Sequence, residues 1–139
     1  MKVFISGSAS INILPTPVVN YISTFTGCEI LVGDCYGIDY LVQRLVSKLN
    51  LDTTVYYVGD HCRNCWDLTF HTKAVPSTED DYIFFTAKDK AMCVDCDMAV
   101  MVWDGESKGT FRNIEHCTSL CKPYIVFMKD GSLYESTVL

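Results

Sequence analysis

The stretch EILVGDCYGIDYLVQRLVSKL (29–49) decides the fold of this chain. It opens with a short apolar run, Glu29–Gly33, that is typical of a buried strand. A turn containing glycine and aspartate follows. The next residues predict a helix, because their apolar side chains recur at the helical period of 3.6 residues: Ile38, Leu41, Val42, Leu45, Val46 and Leu49. A strand that leads directly into an amphipathic helix is the repeating unit of an α/β protein.

The same alternation continues on both sides of this unit. The apolar and β-branched runs predict further strands at Lys2–Gly7, Thr53–Gly59, Met98–Trp103 and Pro123–Met128. Helices are predicted from Pro15 and Pro17 to about Thr26, from about Tyr82 to Asp95, and over Gly109–Cys121. Residues 60 to about 80 interrupt the rhythm and predict an irregular insert, and the tail after Gly131 reads as short and polar.

This pattern predicts an α/β protein with one domain over residues 1–139. Near-continuous apolar strands that alternate with helices indicate a mainly parallel sheet that is covered on both faces. We therefore expect a three-layer, Rossmann-like domain with a five-stranded sheet. In such sheets a ligand binds beyond the carboxyl ends of the strands, so the residues that follow each strand are the ones to examine for function.

Composition and charge exclude several classes of partner. The chain has 139 residues, of which 49% are hydrophobic, and its 11 basic and 17 acidic residues give a formal charge of −6. An acidic chain without a basic stripe argues against nucleic-acid binding, which needs clustered cations. The apolar run Met98–Trp103 is far shorter than the roughly 20 residues of a membrane-spanning helix. The apolar run after Lys2 is too short for a signal peptide. We therefore expect a soluble, cytoplasmic protein with no membrane partner.

Eight cysteines raise the question of a metal site. Cys62/Cys65 and Cys93/Cys96 are both C-x-x-C pairs, a spacing that zinc sites use. The second pair and Cys117 lie in stretches with helical character, where a free cysteine acts as a small buried apolar residue. We therefore expect no metal and no cofactor. A zinc-stapled interaction module stays open as an alternative.

Glycine combined with serine or aspartate follows four of the predicted strands. Glycine lets a backbone approach a ligand closely, and the N–H groups at the start of the next helix can hold an anion. An arginine in the insert could close over a phosphate, since its guanidinium suits bidentate contact. The predicted ligand-binding residues are Gly7, Ser8, Gly33, Asp34, Gly37, Asp39, Arg63, Asp104, Gly105, Ser107, Gly109 and Thr110.

The turn Gly105–Thr110 is the most informative of these strand ends. It is bounded by glycines, opens a helix and carries hydroxyl and amine donors, which favours a cradle for a phosphate or a ribose. It is neither a Walker A motif nor the dinucleotide fingerprint. Asp34, Asp39 and Asp104 are suited to ribose hydroxyls or to general base catalysis. Asp39 is equally suited to capping its helix.

Two other groups of polar residues suggest no site. The adjacent Lys88 and Asp89 are predicted to form a solvated surface pair. The three histidines, His61, His71 and His116, are scattered along the sequence and form no catalytic pattern with a serine or a cysteine.

Several of these segments together resemble a known family. The segments ILVGDCYGID (30–39), AKDKAMCVDCDMAVMVWDGESKGTFRNI (87–114) and KPYIVF (122–127), together with the start KVFISGSASI (2–11), resemble the SLOG superfamily. The likeness is closer to its YpsA-related branch than to the DprA and Lonely-Guy proteins. The resemblance implies a Rossmann-like fold, a nucleotide or nucleotide-derived ligand at the strand edge, and dimers or larger assemblies.

Two functions remain in view, besides the zinc module. The first is binding of a nucleotide-type small molecule, as in a signal sensor. The second is an enzyme that acts on the N-glycosidic bond, a phosphoribohydrolase or a deoxyribosyltransferase, with Asp104 or Asp34 as the catalytic carboxylate. The hydrolases of the family carry Pro-Gly-Gly, then Gly-Thr, then a glutamate one helical turn on. This chain has Trp103-Asp104-Gly105 at the turn, with Arg112 and Asn113 in place of the glutamate. The sequence therefore favours binding.

Overall fold

One mixed sheet of seven strands organises the protein. The computed structural model describes residues 1–76 and 81–138, with side chains from Thr86 onward in the second segment. The strands are β1 (Lys2–Gly7), β2 (Glu29–Val32), β3 (Asp52–Val58), β4 (His71–Val75), β5 (Met98–Trp103), β6 (Tyr124–Met128) and β7 (Leu133–Ser136). The helices are α1 (Thr16–Ile22), α2 (Ile38–Lys48), α3 (Asp81–Asp95) and α4 (Lys108–Ser119).

The strands run in the spatial order β4-β3-β2-β1-β5-β6-β7. Every neighbouring pair is parallel except β6 and β7, which are antiparallel. The chain therefore builds outward from β1 to β4, returns to the other side of β1 for β5, and builds outward again. The strand order reverses between β1 and β5. Parallel sheets leave a crevice at such a reversal, so this point is where a ligand is expected.

The central strands carry apolar side chains toward both faces of the sheet because helices cover both faces. In β1, Val3 and Ile5 join a cluster with the buried side chains of α1 and α2. Phe4, between them, points to the opposite cluster with residues of α3 and α4, among them Met92 and Ile114. The α/β, Rossmann-like architecture predicted from the sequence is confirmed, with one pair of helices on each face.

The predicted number of strands is wrong, because the sheet has seven strands and not five. β4 lies inside residues 60–80, which were predicted to be irregular, and β7 lies in the tail after Gly131. Both are edge strands whose side chains are almost all exposed, so neither carries the apolar pattern that marks a buried strand. Backbone pairing holds them in the sheet. Residues 77–80 of the predicted insert lie outside the described residues.

The helices begin and end close to the predicted positions, with one exception. The first helix ends at Ile22 and not near Thr26. The hydroxyl groups of Ser23 and Thr24 donate hydrogen bonds to the carbonyls of Val19 and Tyr21, which competes with continuation of the helix. In the described part of the chain, no helix combines the length and the apolar composition needed to cross a membrane.

Candidate functional site

The ends of β1 and β5 meet through a buried serine. The backbone N–H of Ser8 donates to the carbonyl of Val102 at 3.0 Å. Its side-chain oxygen accepts the N–H of Asp104 at 3.1 Å and lies 3.3 Å from the hydroxyl of Thr110, so it joins both strand ends to the start of α4. Ser8 is 1% exposed. The predicted residues at these two strands therefore form one structural unit.

Asp104 organises the turn that follows β5. One carboxylate oxygen accepts the hydroxyl of Ser10 at 2.6 Å, and the other accepts the N–H groups of Glu106 and Ser107 at 2.9 and 2.8 Å. These hydrogen bonds, led by the one from Ser10, lower the pKa of Asp104 to about 2. The carboxylate is therefore an anion at neutral pH, with both oxygens engaged. This arrangement suits a residue that fixes the turn better than one that donates a proton.

Three of the predicted glycines are required by close packing between protein segments. A Cβ on Gly7 would lie 2.6 Å from the carbonyl oxygen of Val102, and one on Gly37 would lie 2.6 Å from the carbonyl oxygen of Ala9. Gly37 also has a φ of +83°, which glycine adopts at little cost. A Cβ on Gly33 would overlap charged side chains behind β2. These glycines therefore allow the ends of β1 and β2 and the turn before α2 to pack closely against neighbouring segments.

Gly105 and Gly109 differ from those three. Gly105 has a φ of +84°, which explains why glycine follows Asp104. A Cβ on Gly109 would meet only the hydroxyl of Ser107, at 3.9 Å, so space is open beside the first turn of α4. The first N–H groups of a helix have no acceptor within the helix, and they favour an anion. This open turn is the part of the predicted cradle where the protein leaves space unfilled.

A second buried carboxylate lies at the end of β2, one strand away. Asp34 is fully buried and forms a bidentate pair with Arg63, with N–O distances of 2.6 and 3.1 Å. The backbone N–H of Arg63 donates to the same carboxylate at 2.9 Å. Burial alone would raise the pKa of Asp34, but these contacts outweigh it and hold the pKa below its usual value. The arginine that was predicted to close over a phosphate is thus engaged by Asp34.

The loop that carries Arg63 is fastened at several further points. The side-chain amide of Asn64 donates to the carbonyl of Asp34 at 2.8 Å. The buried Gln43 of α2 donates to the carbonyls of Gly33 and Asn64 and accepts the N–H of Trp66. Residues 63–66 therefore follow the end of β2 closely.

Lys88 occupies a position that the sequence did not predict. It was expected at the surface, but it is 4% exposed and extends from α3 toward the end of β2. Its ammonium lies 2.8 Å from Asp89 and 3.9 Å from Asp39. Lys88 stands one helical turn before the buried Met92, and that spacing is the signal that places it on the inner face of α3.

Asp39 does not cap α2, because its carboxylate accepts the N–H of Cys35 at 3.1 Å and packs beneath Gly33 against Lys88. The first residue before the helix is Gly37. Burial raises the pKa of Asp39 to about 6, and the negative charge of Asp89 adds to this, whereas the ammonium of Lys88 acts in the opposite direction. Burial also lowers the pKa of Lys88, but the two carboxylates outweigh it and raise that pKa above its usual value.

The buried charges connect to a pocket between α3 and α4. The side-chain amide of Asn113 donates to the hydroxyl of Ser6 and to the carboxylate of Asp89, both at 3.3 Å. Asp89 and Asn113 form part of the wall of a pocket of about 170 Å³, which is also lined by Thr86, Lys90, Gly109, Arg112 and His116. Lys90 and Arg112 give this pocket a cationic side, and Gly109 places the open first turn of α4 at its edge.

A larger and more open pocket lies on the opposite side of the β1 end. It has a volume of about 710 Å³ and lies between the loop that follows β1 and the β6–β7 turn. Its lining is mostly apolar or uncharged, with Lys129 and Asp130 at one side. It offers less specific polar chemistry than the pocket between α3 and α4.

The predicted site residues thus form two neighbouring groups. Those at β1 and β5 lie around the reversal of strand order: Gly7, Ser8, Asp104, Gly105, Ser107, Gly109 and Thr110. Those that follow β2 are engaged with each other, with α3 or with the loop after β1: Gly33, Asp34, Gly37, Asp39 and Arg63. Sequence reasoning missed Lys88, Asp89 and Asn113, which link the two groups from the α3–α4 side.

Cysteine and histidine are the residue types that hold zinc in proteins. Within residues 1–76 and 81–138, no group of three or more metal-ligating side chains is placed to hold an ion. The thiols of Cys62 and Cys65 donate to the carbonyls of Asn64 and Asp67. Comparison of the chain with protein-family models, with curated proteins and with solved structures finds no match.

Proposed function

We propose that this protein binds a nucleotide or a nucleotide-derived small molecule at the carboxyl edge of its sheet. The observation that carries the proposal is the pocket between α3 and α4, which lies beside the reversal of strand order and next to the open first turn of α4. Lys90 and Arg112 are suited to a phosphate, as is the positive end of a helix. Asp89 and Asn113 are suited to sugar hydroxyls.

The size of the pocket limits how the ligand sits. Sites for drug-sized molecules usually measure about 300–1,000 Å³. A pocket of about 170 Å³ holds a phosphate or a sugar, and not a whole nucleotide. The rest of the ligand would extend along the strand edge, past Ser8 and the turn after Asp104.

We favour binding over turnover because both candidate catalytic carboxylates are engaged. Asp104 is held ionised by the turn that it organises, and Asp34 is neutralised by Arg63. An N-glycosidic enzyme needs a carboxylate that reaches the anomeric carbon or that delivers a proton. If the protein releases any base from a nucleotide, Asp104→Asn should leave that release in place. Loss of base release in this variant would instead indicate that Asp104 is a catalytic residue. The resemblance to the SLOG superfamily supports a nucleotide-type ligand under either function.

The test is thermal unfolding against nucleoside mono-, di- and triphosphates, cyclic nucleotides, ADP-ribose and NAD. A ligand at 100 times its Kd should raise Tm by roughly 5–10 °C for a chain of this length. Chromatography of each sample for free base separates binding from turnover. Lys90→Gln should weaken the shift, whereas the matched variant Lys48→Gln on the exposed side of α2 should leave it intact. A panel without any shift, or equal shifts for the two variants, would reject the proposed site.

The cellular setting and the assembly state are part of the same proposal. All eight cysteines are free, which suits the reducing cytoplasm. Exposed apolar residues near the end of β5, Phe111, Leu133 and Tyr134, suit self-association into a dimer or larger assembly. Light scattering coupled to gel filtration would measure the mass, and a monomer at micromolar concentration would exclude a stable dimer.

A further inference from the structure

Two buried thiols face each other between α3 and α4. The sulfur atoms of Cys93 and Cys117 are 3.9 Å apart, and both residues are 0% exposed. Cys93 stands in the last turn of α3, and Cys117 stands near the end of α4. Their positions are 24 apart in sequence, so each belongs to a different element of the fold.

The pair lies next to the pocket of the proposed site. Cys93 follows Asp89 by one helical turn on α3, and Cys117 follows Asn113 by one helical turn on α4. Asp89 and Asn113 touch at 3.3 Å and form part of the pocket wall. The sulfur contact therefore lies one helical turn from this polar contact, and both join the same two helices.

The chemistry of the two sulfurs is not symmetrical. The two sulfurs share a hydrogen bond in which either can be the donor. The contact with Cys93 lowers the pKa of Cys117, and the ammonium of Lys122 acts in the same direction. The same hydrogen bond raises the pKa of Cys93, and burial adds to this. The thiolate is the form that reacts with an oxidant, so Cys117 is the sulfur that reacts first.

We propose that Cys93 and Cys117 are a redox modification site that closes to an intrachain disulfide when the protein meets hydrogen peroxide. A disulfide needs a sulfur separation of about 2.05 Å, so the side chains must approach by rotation and by a small shift of the helices. The cross-link would fix the spacing of α3 and α4 beside the pocket. An effect on ligand affinity rests on the proposed function, but formation of the bond does not.

The oxidation balances in two steps. The thiolate of Cys117 attacks peroxide, the O–O bond breaks, and a sulfenic acid forms with release of hydroxide, which takes up a proton to give water. The sulfur of Cys93 then attacks the sulfenic sulfur, the S–S bond forms, and the S–O bond breaks. The oxygen leaves as a second water with the proton of Cys93. Two thiols are oxidised and one peroxide is reduced to two waters.

The experiment uses the full wild-type chain without ligand. After treatment with peroxide, the remaining thiols are alkylated under denaturing conditions and the chain is cut with trypsin and with a protease that cleaves before aspartate. The expected product is residues 91–94, which contain only Cys93, linked to residues 113–129. Fragment ions assign the bond to Cys117 and not to Cys121. The free thiol count falls from eight to six and returns to eight with dithiothreitol.

Two variants make the assignment independent of peptide mapping. Cys96→Ala combined with Cys121→Ser leaves a single cysteine on each partner peptide and should still form the link. In Cys117→Ser, neither Cys93 nor position 117 should be oxidised by peroxide, because the disulfide partner is absent. The Tm of this variant is measured first to show that it folds. Oxidation of Cys121 alone, or a link through Cys96 in the wild-type chain, would overturn the proposal. Ligand shifts measured on the oxidised and reduced chains then address affinity separately.

Discussion

The pairing of Asp34 with Arg63 predicts an asymmetry between two alanine variants. Asp34 is fully buried, whereas the side chain of Arg63 is 33% exposed. Arg63→Ala leaves the buried carboxylate without its countercharge, with only the backbone N–H of position 63 still donating to it. Breaking a buried pair by removing one partner costs about 3–5 kcal/mol. Because one edge of this pair reaches solvent, we expect a loss of about 3 kcal/mol.

Asp34→Ala should cost less. The guanidinium of Arg63 is partly exposed and keeps its contact with the sulfur of Cys35 at 3.2 Å. The loss is therefore that of the hydrogen bonds to Asp34, about 1–2 kcal/mol. The double variant should resemble Asp34→Ala, so the coupling energy should equal the Arg63→Ala loss, about 3 kcal/mol.

Urea unfolding of the four chains measures these differences. With a slope near 2 kcal/mol/M, Arg63→Ala should lower the midpoint by roughly 1.5 M. Arg44→Ala is the matched control, because this exposed arginine of α2 contacts the ring of Trp66 at 5.0 Å and is not paired with a buried anion in the described contacts. We expect it to lose less than about 1 kcal/mol.

The pH dependence provides a second test of the same pair. The folded-state pKa of Asp34 is lowered, so its contribution to stability is present above the usual pKa of 3.8 and is lost as the pH falls. Without Arg63, burial raises this pKa, and Arg63→Ala should gain stability relative to the wild type as the pH falls toward 4. The reasoning would be refuted if Asp34→Ala cost more than Arg63→Ala, or if the two losses were additive.

Three further variants test the buried charges behind β2. Gly33→Ala should lose about 1–3 kcal/mol of unfolding free energy, because its Cβ would lie 2.8 Å from the ammonium of Lys88. The control Gly109→Ala should be neutral or gain up to about 1 kcal/mol. Equal urea midpoints for the two variants would contradict this prediction. Lys88→Met should lose about 3–5 kcal/mol of unfolding free energy in the same assay, because it leaves carboxylates without their buried cation. The control Lys90→Met, on the exposed side of α3, should lose less than about 0.5 kcal/mol. An unchanged urea midpoint for Lys88→Met would show that the ammonium is dispensable. The folded-state pKa of Asp39 is about 6, above its usual value of 3.8, so protonation of this carboxyl stabilises the folded chain. The stability of the wild type relative to Asp39→Asn should therefore fall as the pH rises from 4 to 7. A rise over that interval would contradict the raised pKa.

The sequence predicts the buried part of the fold well, for a physical reason. Five strands and four helices are buried on at least one side, and burial imposes a local apolar pattern. The strands β4 and β7 are held by backbone pairing, which imposes no apolar pattern on the sequence. Polar residues such as His71 and Glu135 therefore do not indicate a strand. An edge strand of this kind has to be found from its neighbour in space.

The candidate site divides in the same way. Gly7, Ser8 and the turn at Gly105 follow strands directly, so the alternation of elements places them at one edge. The pair of Asp34 and Arg63 joins positions 29 apart, and no local pattern encodes their contact. The prediction for Lys88 was wrong because a lysine beside an aspartate is usually solvated. The sequence alone does not show the buried Asp39 and the partly buried Asp89 that contact its ammonium.

The central place of β1 has a consequence for synthesis of the chain. Its partner on one side, β2, follows soon after, but β5 pairs with it from 95 positions away. During translation, one edge of Val3–Gly7 stays open until Met98–Trp103 has left the ribosome, with apolar side chains on both faces. Such open edges invite association between nascent chains. The stage of translation between the synthesis of β4 and the synthesis of β5 is therefore the stage at which a chaperone would protect this chain most.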